Sequence, residues 1–130
     1  MIDLLVSSAW AAALIAKWGY GPSAQVDGRA EAGRQRLASS PPGVLAADLS
    51  ACAAYEGAAA AVSRIACPVV VVAGTQDRMT PAKRARELAE ALPGAEYVEV
   101  PEAGHMLMAE APDAVSEVLP RVAPENRAAR

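Results

Sequence analysis

The chain has 130 residues and a mass of 13.3 kDa, and 53% of its residues are hydrophobic, which is enough for a packed core in one domain or part of one. Its formal net charge of −3 and its pI of about 5.1 exclude an extended phosphate-binding surface. The one basic cluster, Lys83, Arg84 and Arg86, falls on the expected outer face of a helix, so nucleic-acid binding is disfavoured.

The N-terminal segment MIDLLVSSAWAAALIAKW is apolar, but it has the features of neither a membrane span nor a signal peptide. Only 13 uncharged residues separate Asp3 from Lys17, and Asp3 stands where a signal peptide would carry a basic residue. We predict a helix over residues 2–18 with no membrane contact. No capping residue precedes it, which is expected if the sequence begins inside a larger helical region.

Residues 1–63 contain no convincing strand and predict several short helices. GYGPSAQVDG and SSPPG carry the glycines and prolines that break helices, and residues 29–38 between them predict a weak polar helix or a loop. An amphipathic helix begins at Val44, and a further turn of helix follows Gly57. The apolar stripe of the first of these consists of Leu45, Leu49, Cys52 and Ala53.

Residues 64–124 predict the order strand, helix, strand, helix. The β-branched run 69–73 shows no alternation, which is typical of a strand buried on both faces of a parallel sheet. Thr80 is a good N-cap and Pro81 suits the first position of the next helix. The apolar face of this helix consists of Ala85, Leu88, Ala89 and Leu92.

The second strand is predicted over residues 97–100, near an edge of the sheet. Pro112 opens a last helix, Pro120 limits it, and residues 125–130 form a flexible tail. The positions of this helix predicted to face inward are Ala111, Val115, Val118 and Leu119.

Asp77 and the only histidine, His105, each follow the C-terminal end of a predicted strand. A strand, helix, strand unit has parallel strands and a right-handed crossover, so both loops reach the same edge of the sheet. In open α/β sheets this edge is where ligands bind. We therefore expect the two side chains to lie close together.

The two strands with their loops, CPVVVVAGTQDRMTP and VPEAGHMLMAEAP, resemble the C-terminal part of the α/β-hydrolase family. The motif residues are Gly74, Asp77 and Pro81 in the arrangement G-x-x-D-x-x-x-P, Gly104 with His105, and Glu110, Ala111 and Pro112. The resemblance implies an α/β fold with an incomplete sheet of two parallel strands. It also implies that residues 1–63 belong to a helical lid and the helices after it, and residues 64–124 to the hydrolase core.

The same resemblance implies that Asp77 is the acid and His105 the base of a catalytic triad. Asp77 would accept a hydrogen bond from Nδ1 of His105, and Nε2 would take a proton from the nucleophile. The family's nucleophile lies upstream on a G-x-S-x-G turn. The nearest serine, Ser23 in GPSAQ, lacks the second glycine and a preceding strand. We therefore expect the nucleophile and the oxyanion hole to lie outside this chain, which we interpret as an inactive fragment of a longer hydrolase.

Several other side chains are weaker candidates for the site. Met106 and Leu107 could line an acyl pocket, although helix packing is the simpler interpretation. Trp10 could face substrate from the lid or belong to the lid's own core. Glu110 fits a charge at a helix start as well as a site residue.

We predict no metal and no cofactor, because Cys52 and Cys67 have neither C-x-x-C spacing nor histidines nearby. We expect both to be small buried thiols in a protein of the reducing cytoplasm.

The expected function is that of a parent enzyme that cleaves an ester or related acyl bond of a small molecule, with an upstream polypeptide completing the sheet. One alternative is a parent with an aspartate nucleophile, as in epoxide hydrolases and dehalogenases, which keep the same histidine. The other is a non-catalytic remnant, which either persists as an interaction module or decays as a misfolded product.

Overall fold

The structure is a computed structural model that describes residues 8–123. The predicted start of the first helix and the predicted tail 125–130 lie outside these residues. Within them the chain forms eight helices and two strands. In chain order the elements are α1 (Ser8–Gly19), α2 (Pro22–Val26), α3 (Arg29–Ala38), α4 (Val44–Ala54), α5 (Ala58–Val62), β1 (Val70–Gly74), α6 (Ala82–Ala91), β2 (Glu96–Val100), α7 (Leu107–Glu110) and α8 (Pro112–Val122).

Strands β1 and β2 pair in parallel, with Val70 opposite Glu96 and Gly74 opposite Val100. This confirms the predicted α/β unit with its small, incomplete sheet, and both strands lie within one residue of their predicted bounds. The expected burial of β1 on both faces is wrong, because its first three residues are only half-buried and only Ala73 and Gly74 are buried. Within residues 8–123 the strand has one neighbour, β2, so water reaches its valines.

Helix α6 packs on both strands, and α8 packs on β1. Ala89 of α6 and the following Leu92 are buried as predicted, whereas Leu88 is 42% exposed. In α8, Val118 is buried but Leu119 is 56% exposed, contrary to its predicted inward position. Successive helical residues point about 100° apart, so only one of these two can face the sheet.

Pro120 does not limit α8 as predicted, because it lies inside the helix, which continues to Val122. A proline in a helix removes one intrahelical donor. This loss falls in the last turn, where the helix ends within a few residues.

Helices α1 and α3 pack together through small side chains. Ala12 and Ala16 of α1 and Ala30 of α3 are buried. Gly33 of α3 lies so close to the Tyr20 ring that a Cβ would overlap the phenol. Residues 29–38 therefore form a full helix, because tertiary packing stabilises a polar sequence that would form only a weak helix alone.

The predicted apolar stripe of α4 is wrong as well, because the helix contains no buried residue. Leu45 is half-buried and Leu49 is 45% exposed, so the predicted stripe, including Cys52 and Ala53, does not form a core. Cys67 is exposed as well, so neither cysteine is the buried thiol we expected. The physical reason is that α4 packs only lightly against α1 among the described residues. Across residues 8–123 we find no helix whose length and apolar character would allow it to span a bilayer.

Candidate functional site

The candidate site is built at the edge of the sheet where β1 and β2 end. Two backbone hydrogen bonds tie the following loops together: Thr75 N donates to Val100 O at 3.0 Å, and Gln76 N donates to Ala103 O at 2.9 Å. Gly74 allows this approach, because a Cβ there would overlap the carbonyl oxygens of Ala103 and of the residue after it. The end of β1 and the histidine loop are therefore in direct backbone contact.

The Asp77 carboxylate is the centre of the hydrogen-bond network at this edge. Its Oδ1 accepts from the backbone N–H groups of Met79 and Thr80, both at 2.8 Å. Its Oδ2 accepts from the Thr80 hydroxyl at 2.9 Å and lies 2.9 Å from Nδ1 of His105. The side chain is only 5% exposed, so these groups replace most of its hydration.

These contacts determine the charge of Asp77. Burial is the largest single influence and would raise the pKa of the carboxyl, but the hydrogen bonds from Thr80 and His105 together outweigh it and lower the pKa below its ordinary value of 3.8. Asp77 is therefore a carboxylate at neutral pH and can only accept hydrogen bonds.

The charge of Asp77 also determines the tautomer of His105. Because the facing carboxylate accepts, Nδ1 of the neutral imidazole carries the proton and Nε2 carries the lone pair. The His105 side chain is 36% exposed, and Nε2 makes no hydrogen bond to any residue in the range 8–123. The arrangement presents a basic nitrogen toward solvent, oriented from behind by a buried charge.

Thr80 is the polar residue of this site that the sequence reasoning missed. It was predicted as the N-cap of the next helix, but the N-cap is Pro81 and it makes no side-chain cap bond. Instead the Thr80 hydroxyl contacts Asp77 and lies 3.0 Å from Nδ1 of His105. The signal was the D-x-x-T spacing, which places a hydroxyl three residues after a carboxylate in a turn.

The structure places the three apolar candidates differently. Met106 is half-buried and lies against α1, where its N–H donates to Gly19 O at 3.0 Å. A Cβ on Gly19 would lie 3.3 Å from Met106 Cε and 3.4 Å from Met79 Sδ, so both thioethers cover this glycine. Leu107 is half-buried at the start of α7, and Trp10 is 58% exposed in the first turn of α1. Their role in substrate binding stays a prediction.

Ser23 and Glu110 lie beside a cleft of about 210 Å³ that includes neither Asp77 nor His105. Ser23 is exposed in α2. Glu110 ends α7, and its Oε2 accepts from the backbone N–H groups of Gly21 at 2.7 Å and Gly104 at 3.1 Å. It therefore holds loop backbone, a role that the sequence reasoning did not foresee. No cluster of three or more His, Cys, Asp or Glu side chains that could hold a metal ion occurs between residues 8 and 123.

Known proteins resemble this chain in sequence and in fold. Residues 2–118 match the model of the alpha/beta hydrolase family. A protein of Mycobacterium tuberculosis, "Putative non-heme bromoperoxidase BpoC", is 38% identical over 68 residues, which are 52% of this chain and 26% of that protein. An esterase from Thermogutta terrifontis, solved with malate bound, superposes with a TM-score of 0.82 at 23% identity, over 90% of this chain and 44% of its own. A hydrolase from Pseudomonas aeruginosa superposes with a TM-score of 0.78 at 23% identity, over 92% of this chain and 45% of its own.

The structural likenesses, at this level of identity, concern the fold. The chain spans about a quarter of the length of the curated relatives it matches and less than half of the two solved structures. The family model, in contrast, covers most of the 130 residues, and the paired parallel strands and flanking helices agree with it. This chain belongs to the alpha/beta hydrolase family.

Proposed function

We propose that the chain supplies the acid and the base of an enzyme that hydrolyses an ester or a related acyl bond of a small molecule. The observation that carries the proposal is the contact of 2.9 Å between Asp77 Oδ2 and His105 Nδ1 at the carboxyl edge of the parallel strands. In this proposal the serine nucleophile and the oxyanion hole come from polypeptide outside the 130 residues, in a longer parent enzyme.

The mechanism assigns one task to each side chain. Nε2 of His105 takes the proton of the serine hydroxyl as its oxygen bonds to the acyl carbon, and the resulting imidazolium is stabilised by Asp77. The imidazolium then protonates the leaving alkoxide, which departs and leaves an acyl-enzyme. In the second half Nε2 accepts a proton from water as the water attacks the acyl carbon, and it returns this proton to the serine oxygen.

Substrate binding is proposed for the apolar surface beside His105. Met106 and Leu107 follow the histidine directly, and their half-buried side chains suit an acyl group. The helices of residues 1–63 would form a lid, with Trp10 on its substrate side. The Thermogutta terrifontis esterase supports an ester as the substrate class. We place the enzyme in the cytoplasm, because free, exposed Cys52 and Cys67 suit a reducing compartment.

The test is hydrolysis of p-nitrophenyl butyrate by the parent enzyme. We expect His105→Ala to lower kcat by roughly 10³-fold or more, and Glu117→Ala, an exposed control on α8, to leave it unchanged. Turnover retained in His105→Ala would refute the assignment. The 130-residue chain by itself is expected to show no hydrolysis above buffer.

The same acid and base would serve a parent with an aspartate nucleophile. Such an enzyme would open an epoxide or displace a halide through an alkyl ester to its own carboxylate. Incubation in H₂¹⁸O under single-turnover conditions distinguishes the serine enzyme from the aspartate enzyme. Only the aspartate enzyme places unlabelled oxygen from its own side chain in the first product.

A non-catalytic interaction module is favoured by a different observation, the exposed apolar side chains of α4 and of the segment that connects it to β1. Leu49, Tyr55 and Ile65 are 45%, 64% and 39% exposed. This alternative predicts that the chain alone is a stable, monodisperse monomer or a specific complex. Rapid hydrogen exchange at the β1 amides would contradict it.

A further inference from the structure

The Glu110 carboxylate joins two segments that are distant in sequence. Its Oε2 accepts from Gly21 N, 89 residues away, and from Gly104 N, six residues away. Gly21 lies between α1 and α2, and Gly104 lies directly before His105. Both glycines are buried, so water cannot replace the carboxylate as their acceptor.

The two backbones approach too closely for side chains. A Cβ on Gly104 would lie 2.6 Å from Gly21 N, and a Cβ on Gly21 would lie 2.8 Å from Glu102 O and 2.9 Å from Glu110 Oε2. Real Cβ contacts are not this short. Glycine is thus required at both positions for this close approach, and Glu110 supplies the acceptor for both backbone N–H groups.

The histidine loop is held on both sides of His105. Before the histidine, Gly104 N bonds to Glu110, and after it, Met106 N bonds to Gly19 O at 3.0 Å. Gly19 is the last residue of α1, and Glu110 also binds Gly21 in the turn that follows, so both bonds connect the loop to the end of α1 and its turn.

The Glu110 backbone is held as well. Arg29 Nη1 donates to Glu110 O at 2.8 Å and to Ala109 O at 3.3 Å, while Nη2 pairs with Asp27 at 2.6 Å. Oε1 of Glu110 is buried and has no hydrogen-bond partner within residues 8–123. The carboxylate therefore depends on the two glycine amides.

We propose that Glu110 is a positioning residue for His105. By accepting from Gly104 N and Gly21 N together, it fixes the start of the histidine loop against the turn between α1 and α2, and so keeps the imidazole 2.9 Å from Asp77. It acts through the loop and touches neither the imidazole nor substrate. The catalytic meaning of this position rests on the proposed function, but the geometry can be measured without turnover.

The test is NMR of the ¹⁵N-labelled 130-residue chain, with three variants. In Glu110→Ala we expect the amides of Gly21 and Gly104 to exchange roughly tenfold faster or more, because each loses its acceptor. We also expect the downfield Nδ1–H signal of His105 to disappear as the ring leaves Asp77. In Glu110→Gln the side-chain amide oxygen replaces Oε2 as the acceptor, so we expect the His105 Nδ1–H signal to be present as in the native chain. In the control Glu117→Ala we expect no change in the exchange of the two glycine amides or in the His105 signal.

The proposal is overturned if the glycine amides exchange faster in Glu110→Ala while the His105 signal stays unchanged, because Glu110 would then stabilise the fold only. It is also overturned if Gly104 exchange is unaffected. If circular dichroism shows that Glu110→Ala is unfolded, Glu110→Asp takes its place. The shorter Asp side chain keeps the charge but cannot extend to the two glycine amides. The His105 Nδ1–H signal should therefore be lost in Glu110→Asp and kept in Glu110→Gln, and the reverse would refute the proposal. If His105 responds as expected but His105→Ala leaves ester turnover intact, only the proposed function fails.

Discussion

The substitution Asp77→Asn tests the electrostatic core of the site without changing its shape. The Asn oxygen can still accept from Met79 N and Thr80 N, in place of Oδ1. The Asn amino group then faces the Thr80 hydroxyl and His105 Nδ1, which both contact Oδ2 in the native chain. Two contacts that were made to a carboxylate are lost or inverted, and the side chain is 5% exposed, so water compensates little. We expect a loss of about 1–3 kcal/mol in the free energy of unfolding.

The same substitution should invert the tautomer of His105. With an N–H donor opposite, Nδ1 must accept, so the proton of the neutral ring moves to Nε2. Nε2 then has no lone pair with which to accept the proton of the nucleophile. We therefore expect kcat of the parent enzyme to fall by roughly 10⁴-fold. The ¹⁵N chemical shifts of the imidazole in the isolated chain report the tautomer directly.

The pH dependence of unfolding provides a second test of the charge on Asp77. The folded-state pKa of Asp77 is lowered, so below its ordinary value of 3.8 the unfolded chain binds more protons at this site than the folded chain does. Its contribution to stability is therefore complete above about pH 3.8 and is lost as the pH falls through the lower, folded value. In Asp77→Asn this part of the acid dependence disappears.

Urea unfolding followed by circular dichroism from pH 2 to pH 7 measures this effect. The matched control is Asp113→Asn, which changes an exposed carboxylate in the first turn of α8. Two results would show the reasoning to be mistaken: an acid profile of Asp77→Asn identical to that of the native chain, or an imidazole that keeps its proton on Nδ1.

Two further substitutions test the loops around this pair. Gly74→Ala should destabilise the chain by about 1–3 kcal/mol, because the new Cβ meets backbone carbonyls of the histidine loop. The control in thermal unfolding is Gly57→Ala, where the new Cβ meets only the exposed ring of Tyr55, and equal losses in the two variants would contradict the argument. Thr80→Ala removes a hydroxyl that donates to the buried carboxylate at 2.9 Å, so we expect a loss of about 1 kcal/mol in urea unfolding with the helix content unchanged. If Thr80→Ala instead lowers the helix content, the residue acts as a helix cap after all.

The sequence predicted the strands and their parallel pairing because the relevant signals are local. An uninterrupted β-branched run, a proline before it and a helix after it suffice to predict the unit, and the topology then places the loops of Asp77 and His105 at one edge. The role of Thr80 was missed because the capping rule offered a competing use for the same hydroxyl. The hydrogen bond that Gly21 N donates to Glu110 could not be predicted, because nothing local signals a partner 89 residues away.

The burial of α4 and β1 was predicted wrongly for one common reason. An amphipathic stripe or a β-branched run indicates what a segment can bury, but it does not supply the neighbour that buries it. Both segments remain open to water among residues 8–123: α4 has no buried residue, and β1 has one partner strand.

These open surfaces bear on the choice between an enzyme and an interaction module. A strand with an unpaired edge and a row of half-buried valines is a template for pairing with another strand. Leu49, Tyr55 and Ile65 add exposed apolar side chains in the stretch from α4 to β1. In the proposed enzyme, a polypeptide that adds a strand beside β1 would cover these valines and would bring a nucleophile to the edge of the sheet where His105 lies. The open edge of β1 fits both hypotheses, whereas the contact between Asp77 and His105 favours the proposed hydrolase.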